Sequence, residues 1–398
     1  MYRRSRRSSG EGGMTSFRIR RALFVALPII ALVAVLLWRP WEKDTRVDAF
    51  FTKVTGGGAY TCALTDGGEV YCWGASEYLG TGYEGSSATT PQAVDLPVTI
   101  VDLDSSWDHT CALGAEGSVY CWGDNHFNQV SPSENRRHLV PVKIHLHGPA
   151  NEVYVGPGTS CAALEDGLRC WGTNGYKTLG ADRGRTLKEP TRVLEGSRYR
   201  DVKLGGDYFC FIDSDGAVHC RGVRNYGWLG DGISDQSVTD PGTWVDVELP
   251  APAEALYASR APCIWIESQE GICWGGTTKD DYLRGVVQEP LLPRSISLTS
   301  PLDAPATTWS GPMDNSGLDA CSIKQGRALC QAGDPASTAA PSTQIDSELT
   351  SMVLSSNSGC ATTKQGELYC WHTSGRVPPP EFERDTPRAE PILLGKPL

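Results

Sequence analysis

The sequence predicts an all-β fold, a seven-bladed β-propeller preceded by a single transmembrane helix. Three observations carry the propeller. Fourteen cysteines fall into seven pairs nine or ten residues apart, with none outside a pair. The first cysteines of successive pairs are separated by 49, 50, 49, 53, 58 and 39 residues, a period in the range of propeller blades. Gly (44) and Pro (26) punctuate short apolar stretches, the pattern of strands joined by turns rather than of long helices.

Aligned on the cysteines, each unit reads as four short strands. The first is apolar and often ends in Gly, as in "KVTGGG" and "VYVGPG". The second and third carry the cysteines, as in "YTCALT" and "EVYCWG". The fourth follows a longer loop and is expected to begin at Pro, as in "PQAVDL", "PVKIHL" and "PILLGK". Pro is acceptable at an edge, where fewer backbone donors are needed.

The opening hairpin, "TCALTDGGEVYCW", fixes the geometry of the rest. Closing it around "DGG" sets Leu64 against Val70, Ala63 against Tyr71 and Cys62 against Cys72. Period two then places Cys62, Leu64, Val70 and Cys72 on one face. Directly opposed residues of an antiparallel pair have Cα atoms roughly 4.5–5.5 Å apart, within reach of a disulfide. The predicted staples are Cys62/Cys72, Cys111/Cys121, Cys161/Cys170, Cys210/Cys220, Cys263/Cys273, Cys321/Cys330 and Cys360/Cys370, one per blade. Zinc sites present ligands two to four residues apart, a spacing these pairs lack. Thiols kept only for packing have no reason to recur in twos. Each bond closes a loop of about ten residues, on the order of 2–3 kcal/mol in the chain-entropy account.

A four-stranded unit cannot bury a core alone, whereas seven closed radially can. The predicted division is therefore a basic cytoplasmic segment at 1–21, a transmembrane signal anchor at 22–38, a linker at 39–52 and the propeller at 53–396. "KVTGGG" and the C-terminal "EPILLGKP" are expected to complete the ring together. The anchor rests on 17 uncharged residues, Ala22 to Trp38, about 25 Å at 1.5 Å per residue. Seven Arg precede it, which orients the N-terminus inward. The competing reading is a cleaved signal peptide. Its apolar region would be unusually long, and no small-residue cleavage site follows before "WRPWEKD".

Seven Arg and one Glu put residues 1–38 at +6, which leaves −17 for the remainder of a chain whose total is −11. Nucleic acid is excluded as a partner on that charge, because phosphate binding needs Lys and Arg. No HExxH, Gly-x-Ser-x-Gly or phosphate-cradling glycine loop is present. "DSDG" at 213–216 lacks the later ligands of a calcium loop, its twelfth position being Arg224. His145 and His147 share a strand face near His138 but have no third ligand at a fixed spacing, so neither metal nor cofactor is expected.

"HTCALGAEGSVYCWGDN" (109–125) and "CWGASEYLGTG" (72–82) resemble the repeat of the regulator of chromosome condensation family. That pattern runs Gly, His, an apolar strand, a turn Gly, Trp-Gly, Asn, then Leu-Gly-x-Gly before a Pro-led strand. The resemblance decays along the chain. Repeat four has Arg221 in the Trp place, and repeat six has "CQAGD" and a shortened loop. The family's founder acts on a small GTPase and on chromatin, and neither is expected for an exported acidic chain. Cysteine-paired repeats look like those of exported bacterial proteins. The implied location is the bacterial inner membrane, single pass through residues 22–38, with the propeller in the periplasm or outside. A distant analogue, the propeller-type beta-lactamase inhibitor protein, binds enzymes through loops on one face.

The expected function is thus a non-enzymatic, membrane-anchored protein-binding or scaffolding module with an unknown protein partner. The alternatives are a structural subunit of an envelope complex, or a glycan-active hydrolase or lyase at the channel. The latter needs recurring inner carboxylates, which the repeats do not reveal. The candidate binding residues are aromatic. Five residues past the Trp place stand Tyr78, Phe127, Tyr176 and Tyr226, with Trp228 and Tyr282 nearby. In a closed ring they fall on one annulus, and packing between blades is the competing reading. His109, in the repeat's His place, is expected to hold a turn.

Overall fold

A computed structural model describes residues 47–258, apart from 84, 86, 181–182, 197–198, 225–226 and 233–241, and between 262 and 395 the strands named below with their immediate flanks. The chain divides into two units, Met1–Thr45 and Arg46–Leu398, and the described residues belong to the second.

The described strands form seven sheets. Sheet one is β1 (Phe51–Gly56), β2 (Tyr60–Thr65), β3 (Val70–Ala75) and β4 (Ser87–Ala93). Sheet two is β5 (Ile100–Ser106), β6 (His109–Gly114), β7 (Val119–Asp124) and β8 (Arg137–Lys143). Sheet three is β9 (Ala150–Gly156), β10 (Thr159–Leu164), β11 (Gly167–Thr173) and β12 (Thr186–Glu195). Sheet four is β13 (Tyr199–Leu204), β14 (Tyr208–Asp213), β15 (Val218–Gly222) and β16 (Val245–Val247). Sheet five is β17 (Ala253–Ala258), β18 (Pro262–Ile266), β19 (Glu270–Cys273) and β20 (Arg294–Ile296). In sheet six β21 (Ala304–Pro305) pairs with β23 (Ala320–Lys324), which pairs in turn with β24 (Arg327–Gln331). In sheet seven β22 (Trp309–Ser310) adds in parallel to β25 (Leu349–Ser355), followed by β26 (Ser358–Thr363), β27 (Leu368–His372) and β28 (Ile392–Gly395).

The hairpin register is the predicted one: Cys62 faces Cys72, Ala63 faces Tyr71 and Leu64 faces Val70. Five of the predicted staples are bonded, with Cα atoms 4.0–4.1 Å apart. They are Cys62–Cys72 in sheet one, Cys111–Cys121 in sheet two and Cys161–Cys170 in sheet three. Cys210–Cys220 in sheet four and Cys360–Cys370 in sheet seven follow the same rule. The Cys161–Cys170 hairpin closes one residue sooner than the others, with Leu164 facing Gly167, yet the cysteines still oppose each other. Cys210 likewise faces Cys220 in its ladder. For the two remaining pairs only the backbone register is described. Cys263 faces Cys273 and Cys321 faces Cys330, and those side chains lie outside the described residues.

β20 and β28 start directly after Pro293 and Pro391, as expected, but the fourth strands of sheets one to three differ. β4, β8 and β12 begin four residues before their Pro, which sits inside a register shift, between the pairs Cys72↔Gln92 and Gly74↔Ala88 in sheet one. Pro91 has no N–H to give the ladder, so the strand bulges past it rather than starting there.

At five seams the cysteine face of one sheet packs on the next. Cys62, Leu64, Val70 and Cys72 bury against Ile100, Leu103 and Trp122. Cys111, Leu113, Val119 and Cys121 meet Val153, Val155 and Trp171. Cys161, Leu168 and Cys170 meet Val202, Leu204 and Phe209, and Cys210, Val218 and Cys220 meet Leu256 and Trp274. The same arrangement joins sheet seven to sheet one, where Cys360, Leu368 and Cys370 pack with Phe51, Val54 and Trp73. β1 is the inner strand of sheet one and β28 the outer strand of sheet seven. The two chain ends therefore complete different sheets, contrary to the shared blade expected.

A glycine junction repeats at these seams. Ile100 N donates to Gly68 O (3.1 Å), Ala150 N to Gly117 O (2.9 Å), Ala253 N to Gly216 O (2.8 Å) and Phe51 N to Gly366 O (2.9 Å). These glycines hold φ of 77–84°. A Cβ on Gly68 would lie 2.8 Å from Ile100 O, so the turn needs Gly twice over.

The expected single-pass location in the bacterial inner membrane is not upheld. Among the described residues no helix is long and apolar enough to cross a membrane. Ser76–Tyr78 is a 3₁₀ turn, and nearly all the rest of their regular structure is strand. Residues 22–38, on which the anchor rested, lie outside the described residues.

Candidate functional site: an aromatic loop face

The turn between a sheet's first two strands and the loop after its third lie at the same strand end, and a glycine locks them together. Gly123 follows Trp122 at φ 105°. A Cβ there would come 2.4 Å from Asp108 O. The next residue, Asp124, donates its N–H to that same oxygen (2.8 Å). Ala75 N on Ala59 O and Thr173 N on Gly158 O repeat the contact at 2.9 and 2.8 Å.

Buried asparagines then build the loops. Asn125 Oδ1 accepts from Val130 N (3.0 Å) and Ser131 N (2.9 Å), while its Nδ2 donates to Asn135 O (2.7 Å). Asn174 Oδ1 accepts from Leu179 N (2.8 Å), and its Nδ2 reaches the carbonyls of Gly180, Arg183 and Gly184 at 2.9–3.0 Å. A single amide satisfies several loop groups, which fixes each loop as a rigid body.

On this scaffold Phe127 is 48% exposed and Tyr176 52% exposed. Phe127 lies over Gly158, where a Cβ would come 2.9 Å from its ring. Tyr78 is half-buried, its ring 5.5 Å from Tyr60, with the Arg137 guanidinium 5.9 Å above it and Arg137 paired to Glu77 at 3.2 Å. Trp228 is buried, 6.3 Å from Tyr208. Tyr226 and Tyr282 lie outside the described residues. The rule is local. Where the second strand opens with Tyr60 or Tyr208 the loop aromatic packs down on it; where it opens with His109 or Thr159 the aromatic stays out.

Trp107 joins the exposed set, as does Tyr83 (51% exposed) in the β3–β4 loop, and both were missed in the sequence. Trp107 sits in the β5–β6 turn at φ 41°, 38% exposed. Its signal was available, since Gly58, Pro157 and Gly206 hold that turn place in sheets one, three and four. Among the described residues the non-glycine positive φ angles belong to Trp107, Asn128 and Lys177, all on this face. Such strain tends to gather at functional surfaces.

His109 is fully buried, and its Nε2 lies 2.9 Å from Ser160 Oγ in the next sheet. It therefore ties two sheets together rather than serving its own turn alone. His138 Nε2 meets Ser131 Oγ (2.8 Å) and Ser133 Oγ (3.0 Å), and His145 and His147 are exposed. Among the described residues no group of three His, Cys, Asp or Glu is placed to hold a metal. In "DSDG", Asp213 Oδ1 accepts from Asp215 N (2.9 Å) and Ala217 N (2.8 Å), a turn.

The inner strands do carry recurring carboxylates, contrary to the sequence reading. Asp102, Glu152 and Asp201 stand two places before the residue opposite the first cysteine in sheets two, three and four. Each stands nine residues before the first cysteine of its pair, a spacing present in the sequence and overlooked there. Their bonds, and those of neighbouring Asp104, are structural. Asp104 Oδ2 accepts from Val155 N of the next sheet (2.7 Å) and Asp201 Oδ2 from Leu256 N (2.8 Å). Ser351 Oγ takes Val54 N (3.2 Å) at the seven–one seam. Lys53 pairs with Asp102 at 2.6 Å. Burial pushes the Asp104 carboxyl up, against the pull of Lys53 and Lys203.

Residues 51–78 and 100–129 match the family described as regulator of chromosome condensation (RCC1) repeat. "Probable E3 ubiquitin-protein ligase HERC4" of Rattus norvegicus is 26% identical over 228 residues, 54% of this chain and 22% of that protein. "E3 ubiquitin-protein ligase HERC2" of Homo sapiens is 29% identical over 264 residues, 61% of this chain and 5% of that protein. The chain thus spans a small part of these relatives' length. They are eukaryotic, which removes the resemblance-based argument for a bacterial inner membrane. Among solved structures, Prp20p of Saccharomyces cerevisiae has a TM-score of 0.53 at 17% identity, covering 86% of this chain and 76% of that one. Human WBSCR16 has 0.54 at 14% identity, covering 82% and 77%. At such identity these two bear on the fold alone.

Proposed function

We propose that this chain, which belongs to the regulator of chromosome condensation repeat family, is a seven-bladed protein-binding module that recognises its partner through the loop face of sheets two and three. One observation carries the reading: Trp107, Phe127 and Tyr176 are exposed at the same strand ends, Phe127 and Tyr176 on loops held rigid by buried asparagines. Rigid aromatics are the residues that anchor protein interfaces, since they bring large area at little conformational cost. Prp20p is described by its binding to Gsp1p and histones, and another solved structure is of Kap60 bound to yeast RCC1 (Prp20). Protein binding is the activity named for this fold in those neighbours.

An enzyme at the inner strands is the weaker reading. Asp104 and Asp201 are taken up by backbone N–H groups of the next sheet, and Asp102 by Lys53. The ligase activity named for the relatives belongs to proteins of which this chain matches 5% (HERC2) and 22% (HERC4).

The test is quantitative cross-linking capture with three proteins: wild type, the triple variant W107A/F127A/Y176A, and the control E116A/E165A at the opposite strand ends. A partner recovered equally by wild type and control but lost by the triple variant supports the reading. Equal recovery by all three removes this face from consideration.

A further inference from the structure

The seam between sheets three and four breaks the pattern of its siblings. Trp122, Trp171 and Trp274 each fill a seam almost completely buried. In sheet four that place holds Arg221, which is 5% exposed. Arg221 keeps the indole's hydrogen bond. Its Nε donates to Thr178 O, as Trp171 Nε1 donates to Gln129 O (2.7 Å) and Trp274 Nε1 to Trp228 O (3.0 Å). All three carbonyls lie seven residues past the Trp place of the preceding sheet. The guanidinium also stacks like a ring, 4.2 Å from the Trp244 centroid and 5.3 Å from that of Phe209.

What the arginine adds is charge and spare donors. Arg221 Nη2 is buried without a hydrogen-bond partner, and so is Nη1 of half-buried Arg183, from the loop of sheet three. Burial, and then the charge of Arg183, pull the Arg221 guanidinium down to about 9. No carboxylate offsets that pull among the described residues. A buried guanidinium with an orphan N–H is destabilising when a second arginine's charge acts on it, since buried ions are normally paired. An indole would give the same packing and the same bond without that penalty.

We propose that Arg183 and Arg221 form an oxyanion site in the seam between sheets three and four, which takes a carboxylate or phosphate group on their unpaired N–H edges. The planar guanidinium fork suits either group. Arg183, half-exposed, is the side from which the anion enters. The site is separate from the aromatic face and does not depend on it.

The test uses the full chain in thermal unfolding and calorimetric titration, with inorganic phosphate and acetate as probes at constant ionic strength set by chloride. The variants are R183Q and R221W; the latter restores the side chain of the sibling sheets and keeps an N–H for Thr178 O. The expected result is a saturable response of the wild type to one probe, weakened at least about tenfold in each variant. Which probe saturates tells carboxylate from phosphate. A wild type that responds to neither beyond chloride overturns the proposal. So does a saturable response that R183Q and R221W both keep, because the anion then binds elsewhere.

Discussion

Truncating Trp73 tests whether the sheets close on themselves. Trp73 belongs to sheet one but packs with Val353 and the Cys360–Cys370 pair of sheet seven, 8% exposed. A buried Trp removes about 200 Å² from water, which at about 25 cal/mol per Å² is about 5 kcal/mol. Truncation of such residues costs about 3–5 kcal/mol. Trp171, in the seam between sheets two and three, supplies the internal standard. Its removal leaves Gln129 O still bonded to Ser160 Oγ at 2.8 Å, so no orphan carbonyl inflates its cost. W73A and W171A are therefore expected to lower stability alike, by about 3–5 kcal/mol. Urea unfolding of the oxidised protein, followed by far-ultraviolet circular dichroism, reads both without relying on Trp emission. Should W171A lose that amount while W73A stays within about 0.5 kcal/mol of wild type, as surface changes do, the first and last sheets would not be packed together.

Two further outcomes follow from the same bonds. The double variant C111A/C121A should lose about 2–3 kcal/mol in the same assay, since the bond closes a loop of about ten residues; an unchanged midpoint would remove the staple from the account of stability. Asp104 should make stability fall with rising pH. Its folded carboxyl is held above the ordinary value of about 3.9, so above that value the folded state binds more protons than the unfolded one and loses ground until Asp104 ionises. D104N keeps an acceptor for Val155 N and should flatten this descent in unfolding midpoints taken from about pH 4 upward. The same descent in both proteins would assign it to other groups.

The staples were legible because period two and a tight turn leave one register for each hairpin, and that register places cysteine against cysteine. Even the shorter hairpin of sheet three keeps Cys161 opposite Cys170, since the one residue lost comes from the turn and both strand arms keep their length. The fourth strands were misplaced because Pro91, Pro141 and Pro190 read as strand starts, whereas the ladder resumes on both sides of them. The inner carboxylates were legible but overlooked: Asp102, Glu152 and Asp201 each stand nine residues before the first cysteine of their pair, on the cysteine side of the bulge near the start of each first strand. The aromatic annulus was half legible. Its members could be counted from the Trp, but their exposure depends on whether a Tyr stands at the head of β2 or β14, a contact between segments 18 to 20 residues apart.

The repeat separates two duties within each sheet. Cysteine, Trp and turn glycine carry the seams, and they recur at the same places with the same bonds. Because a buried asparagine satisfies the loop backbone from within, the side chains pointing outward from those loops bear little of the fold. Phe127 and Tyr176 can then stand in solvent without loosening what lies beneath them, although exposed aromatics are a standing risk of unspecific association. Arg221 is the opposite case. It sits on the seam side, and beyond its contacts with the Trp244 and Phe209 rings it brings a spare N–H donor that the seam itself does not use. A charged side chain at a place that Trp73, Trp122, Trp171 and Trp274 fill with an indole is hard to ascribe to packing. That contrast is why the aromatics argue for a surface and the arginines for an enclosed anion.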